Sequence, residues 1–114
     1  MPDSDTAQFR EVVANWLEEA RVFGELDPQG YKRAHPRYAW NRPMELLMDG
    51  KTQYVYSRDI SENGIGLVCR HRLHEGMHVG IRRDANDPWI PACVAHCTQT
   101  VGAFKIGAEL VFEF

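Results

Sequence analysis

From Phe9 onward apolar residues recur every three or four positions: Phe9, Val12, Val13, Trp16, Leu17, Ala20 and Phe23. That spacing puts them on one stripe of an α-helix. Arg10, Glu11, Glu18, Glu19 and Arg21 fall on the other faces. Ser4, Asp5 and Thr6 offer caps, and acids suit the positive end of a helix. Gly24 can stop it, and Asp27-Pro28-Gln29-Gly30 reads as a turn. The pattern predicts a helix over 6–23. A stripe with three aromatics has to be buried, either on the rest of the chain or in an interface with a second copy or a partner.

After Gly30 the period changes from helical to alternating. Tyr38 to Trp40 can begin a strand, and Pro43 permits only an edge or a strand start. Strands are predicted over 44–48, 52–58, 65–69, 77–82 and 89–98. Asp49-Gly50 and Asn63-Gly64 are the strong turn signals between them. The last strand has the clearest alternation. Phe104, Ile106, Ala108, Leu110, Phe112 and Phe114 share one face, and Lys105, Gly107, Glu109, Val111 and Glu113 the other. Six short strands at this spacing predict a small antiparallel barrel or sandwich. The expected organisation is an N-terminal helix and linker over 1–30, then a β-barrel domain over 31–114.

Composition narrows this little: 114 residues, 44% hydrophobic and 25% charged, fit one globular domain with a modest core. Charge says more. The first 30 residues hold seven acids against two arginines, whereas Tyr31 to Arg42 holds Lys32, Arg33, Arg37 and Arg42 with no acid. That is a local anion patch, too small for the footprint of a duplex DNA binder. No apolar run approaches the ~20 residues that span a bilayer, and the acidic N-terminus has no signal pattern. Cytoplasmic location is the default expectation, with no membrane or DNA partner. Cys69, Cys93 and Cys97 read as reduced thiols in strands. In a strand Cys93 and Cys97 face one way and His96 the other, so no metal site is expected.

Two polar stretches stand apart from the core pattern. Arg33-Ala34-His35-Pro36-Arg37 places two guanidinium groups in a segment that Pro36 biases toward extended backbone. Such a fork grips phosphate oxygens two at a time, or the O6/N7 edge of guanine. Two arginines four apart lie at most about 13–14 Å from each other and can close on one ligand from two sides. Asp59-Ile60-Ser61-Glu62-Asn63-Gly64 is the second stretch. Asp59 and Ser61 would point the same way in a strand. The carboxylate can accept from the N1–H and N2–H₂ of a guanine. Ser61 can donate to a phosphate or brace the turn, and Asn63-Gly64 suits positive φ.

With these residues in this order the chain resembles the PilZ domain family. That family is marked by R-x-x-x-R followed about two strands later by (D/N)-x-S-x-x-G, here Arg33 to Arg37 and Asp59 to Gly64. Ser61 to Leu67 and Lys105 to Leu110 are also similar to it. The resemblance implies a mainly β fold, a six-stranded antiparallel barrel, here preceded by one amphipathic helix. It implies a receptor for cyclic di-GMP rather than an enzyme, with no cofactor and no metal. The implied ligand-binding residues are Arg33, Arg37, Asp59, Ser61 and Gly64, with Lys32 and Asn63 beside them. Lys32 sits where a basic residue is associated with binding two stacked ligand molecules. Output would pass to an unidentified effector protein, in pathways such as motility or exopolysaccharide production. A homodimer through the helix is a further expectation. Two departures stand out: the helix precedes the barrel where many members have one after it, and His96 lies near where a large aromatic is common. The competing reading is a PilZ-like interaction module that does not depend on nucleotide.

Overall fold

The structure, a computed structural model, describes residues 4–26 and 35–112. Helix α1 spans Ser4–Phe23. Seven strands follow: β1 Tyr38–Ala39, β2 Pro43–Met48, β3 Lys51–Ile60, β4 Gly64–Cys69, β5 His78–Arg82, β6 Ile90–Thr100 and β7 Ala103–Leu110. All pairings are antiparallel, in the order β1-β3-β2-β5-β6-β7-β4, and β4 pairs back onto β3. Strands β2 to β7 thus close the expected six-stranded barrel. The two-residue β1 extends the edge that β2 presents to β3.

Closure follows from alternation and turn chemistry. Leu46, Val55, Leu67, Ile81, Ile90, Val94 and Ile106 are buried and fill the interior. Asp49 and Gly50 both take positive φ, 51° and 74°, the geometry that joins β2 to β3 without splaying them. The last strand is shorter than its pattern. β7 stops at Leu110, and the ring of Phe112 instead lies 5.9 Å from that of Phe9 on α1. Phe114 lies outside the described residues.

The helix packs on the barrel. Val13, Trp16, Leu17 and Ala20 are buried in the same core as the strands, with Phe9 and Val12 against it. Val13 and Trp16 meet Ile60, Ile65, Ile81, Ile90 and Leu110 across a seam that leaves no room for water. The stripe ends early: Ala20 is fully buried, whereas Phe23 is 77% exposed. A homodimer through this helix would have to use residues outside the buried part of the stripe.

A carboxylate fixes the seam. Glu19 accepts hydrogen bonds from Trp40 Nε1 at 3.0 Å, from Arg42 Nη2 at 3.0 Å and from Arg83 Nη1 at 2.7 Å. Burial pushes its pKa up, but the bonds from Trp40 and Arg42 and the charges of Arg83 and Arg42 outweigh it, so the carboxyl lies below its ordinary value. A depressed carboxylate contributes stability above the unfolded pKa of about 4.3, and that contribution is lost as pH falls through the folded value. The wild type is therefore expected to be more stable than Glu19→Gln at pH 7, with the gap closing below about pH 4. Urea unfolding of both across pH 3–7 checks this, and a pH-independent gap would remove Glu19 as the cause.

Candidate functional site

β-bulges set up the site on the outer wall of the barrel. The β3–β4 register shifts between Ser57 and Asp59, and the β6–β7 register between Val94 and His96. Each inserts one residue and re-aims the next side chain. Asp59 is then opposite Gly66, Gly66 opposite Gly107, and Gly107 opposite His96. One row thus crosses four strands with an acid at one end, an imidazole at the other and two glycines between.

The glycines are required by close approach. A Cβ at Gly66 would collide with the Asp59 carboxylate, and one at Gly107 with the His96 ring. Both side chains lie down over bare backbone. Asp59 is loosely paired with Arg58, 3.9 Å away, while Arg58 Nε is buried without a hydrogen-bond partner. Gly66→Val is expected to push the Asp59 carboxylate off the wall at a small cost in stability, since the colliding atoms are side-chain tips. An NMR shift of the Asp59 carboxyl with little change in melting temperature checks it.

The turn after β3 is braced by its own residues. Ser61 is buried, and its Oγ donates to Asn63 Oδ1 at 2.7 Å, while its N–H donates to Gly64 O at 2.9 Å. Of the two roles open to Ser61, the structure shows the brace. β3 ends at Ile60, so Asp59 lies in the strand, while Ser61 lies past its end and is buried in the turn. Neither Asn63 nor Gly64 has positive φ. Gly64 is instead a point of close packing, where a Cβ would come within 2.9 Å of Ala108 O on β7.

Arg37 stands at this turn. With Asn63, Gly64, Ile65, Ala95, His96, Gly107, Ala108 and Glu109 it lines a surface cleft of about 110 Å³. It is half-buried, and among the described residues no hydrogen bond, ion pair or ring contact engages its guanidinium. Its neighbours are tied down. Glu62 lies 3.4 Å from His35 Nδ1 and 3.7 Å from Arg21 Nη2 of the helix. Leu26 bridges Tyr38, and Ala39 N–H donates to Glu25 O at 2.8 Å. The chain is therefore fastened together on either side of the arginine motif. Lys32 and Arg33 lie outside the described residues.

The sequence pattern alone left His96 aside and did not single out Glu109. The bulge at Ala95 brings His96 to the cleft, and it also separates the cysteines: Cys93 is opposite exposed Glu109, Cys97 opposite buried Ile106. Burial pushes the Cys69 thiol pKa up. Among the described residues no group of three His, Cys, Asp or Glu could hold a metal ion, and no helix is long and apolar enough to cross a membrane.

A family model described as the PilZ domain matches residues 31–114. Among solved structures the chain is similar to the crystal structure of YcgR in complex with c-di-GMP from Escherichia coli, with TM-score 0.54 and 17% identity. The match covers 70% of this chain and 38% of that one, so the chain spans well under half of that protein's length. At this identity the likeness is one of fold. No curated protein matches.

Proposed function

The chain belongs to the PilZ domain family, and on that premise we propose that it is a cyclic di-GMP receptor whose output is a change in what the barrel and helix present to a protein partner. The observation that carries this reading is the half-buried guanidinium of Arg37, unengaged among the described residues, in the cleft beside the Asn63-Gly64 turn. A donor fork with no acceptor among the described residues suits an anionic ligand. Asp59, flat over Gly66 on the same wall, suits the donor edge of a guanine. A cleft of about 110 Å³ is too small to enclose a cyclic dinucleotide. The ligand would therefore lie across the wall, with Arg33 and Lys32 as the other arm of the grip. Ser61, Asn63 and Gly64 act by holding the turn, and Gly64 also leaves its backbone open to the ligand. The relative YcgR is named as a complex with c-di-GMP, which accords with this assignment.

The signalling step uses Glu62. Its pairs with Arg21 and His35 join the turn, the arginine segment and the end of the helix. Both partners of each pair are about half exposed, so each pair contributes little and exchanges readily. A ligand that draws Arg37 and His35 over the wall would release Arg21, and with it the last turn of α1.

Titration calorimetry of the whole chain with cyclic di-GMP tests the receptor. Saturable binding that weakens in Asp59→Ala is the expected result; no heat from the intact protein would leave the nucleotide-independent module in its place. Hydrogen exchange tests the signalling step separately, with ligand-dependent protection expected to change at Arg21 to Phe23.

A further inference from the structure

At the other end of β4 from this cleft the barrel wall opens. Pairing between β3 and β4 stops at Tyr56 and Val68, and beyond it the two walls are bridged by Cys69 Sγ, which donates to Gln53 Oε1 at 3.3 Å. The opening is a groove of about 610 Å³ between these two walls, closed at one end by Gly102 and Ala103. The backbone there is not fully paired. Ser57 N–H donates to Arg42 O on the β2 side, which by alternation turns Val55, Gln53 and Lys51 toward β2. Thr52 and Tyr54 therefore direct their N–H and C=O into the groove, where no strand among the described residues receives them. Val68 faces β3 in the same register, and past the end of β4 Arg70 lines the opposite wall.

We infer that this groove is a docking site for an extended, acidic segment of a partner protein, added as a strand to the free edge of β3. Such an edge is a template for one more strand, with main-chain bonds giving affinity and flanking side chains selectivity. The flanking groups are aromatic and basic. Tyr54 and Tyr56 are 81% and 55% exposed, on a wall where exposed tyrosines favour protein contact. Arg70 and His71 are exposed, and no carboxylate lines the groove. Lys51 opens β3, and Lys105 stands opposite Val68. The acid opposite Tyr54, Glu45, is held by Arg82 at 3.0 Å. Among the lining residues the formal charge is that of Arg70, with Lys51 and Lys105 on the adjoining strands, on a chain of net charge −3. A second copy would bring Lys51 and Arg70 against the same cations, so like charge disfavours edge-to-edge self-pairing.

The test uses the full chain, labelled with nitrogen-15, and two capped pentapeptides, Glu-Val-Glu-Val-Glu and Lys-Val-Lys-Val-Lys. The acidic peptide is expected to shift the amide signals of Thr52 and Tyr54 and to slow their exchange. Thr52→Pro removes a donor that points into the groove but none that bonds β2, and is expected to abolish the effect. Arg70→Glu lies in an exposed bend that the fold does not need, and is expected to weaken the acidic peptide about tenfold, as for loss of one charge-assisted contact. Cyclic di-GMP binding should be unchanged in both variants, which separates failure here from failure of the receptor reading. Equal binding of the two peptides, shifts confined to other strands, no binding of the acidic peptide, or full binding by Arg70→Glu would overturn the proposal.

Discussion

Arg37→Ala is expected to weaken cyclic di-GMP binding more than a hundredfold while leaving the melting temperature where it was. The two halves of that expectation come from one observation. Among the described residues no hydrogen bond, ion pair or ring contact engages the Arg37 guanidinium, so its removal breaks none of these there. Its role begins when an anion arrives. A charge-assisted hydrogen bond contributes about 1.5–3 kcal/mol, and a fork makes two in fixed geometry. Losing about 3 kcal/mol is a factor of more than a hundred in affinity. Arg37→Lys keeps the charge and loses the fork, so it should fall between, with about a tenfold loss. Calorimetry and thermal melts on the three proteins decide it. Unchanged affinity in Arg37→Ala would remove the arginine from the site. Lost affinity together with a lowered melting temperature would make it a structural residue instead.

The parts of the fold set by local chemistry were legible in the sequence. The helical stripe, the Asp49-Gly50 turn and the alternation of Ile106 and Ala108 needed only periodicity and backbone preference. What was not legible came from register. A bulge at Arg58 or Ala95 leaves no mark in the residue pattern, yet each re-aims a functional side chain. Counting by twos puts Cys93 with Cys97, and the shifted register at Ala95 parts them; it also puts Asp59 with Ser61, although β3 ends at Ile60 between them. The glycines show the same limit. Gly64 was read as a turn former, and its need is close packing on Ala108 O. Gly66 and Gly107 mark the row from Asp59 to His96 only once the strands are laid side by side. Phe23 continues the stripe in sequence, yet it is exposed where Ala20 is fully buried. For Lys32 and Arg33 the sequence motif is the whole of the argument.

Trp16→Ala is expected to cost about 3–5 kcal/mol of folding stability, the range for a large side chain removed from a packed core. The helix could have been an appendage that waits for a partner, and this substitution separates the two arrangements. Trp16 is 4% exposed, and its ring stacks on Trp40 with centroids 5.7 Å apart. The seam around it holds no space for water, and isoleucines from β3, β4, β5 and β6 meet it there. Small domains have roughly 5–15 kcal/mol in total, so a loss of this size should lower the urea midpoint sharply. Phe23→Ala is the matched control. It removes an aromatic from the same stripe at a position 77% exposed, where substitutions are usually within about 0.5 kcal/mol. A helix that folded apart from the barrel would make both substitutions nearly silent. The consequence reaches the site, because Trp40 is fastened to Glu19 through its indole N–H and stands three residues from Arg37. Loss of Trp16 should therefore loosen Trp40 and its neighbour Ala39, and hydrogen exchange at Ala39 and Trp40 should rise further in Trp16→Ala than the change in global stability requires. If exchange there tracks global stability alone, the helix supports the barrel but does not communicate with the arginine segment.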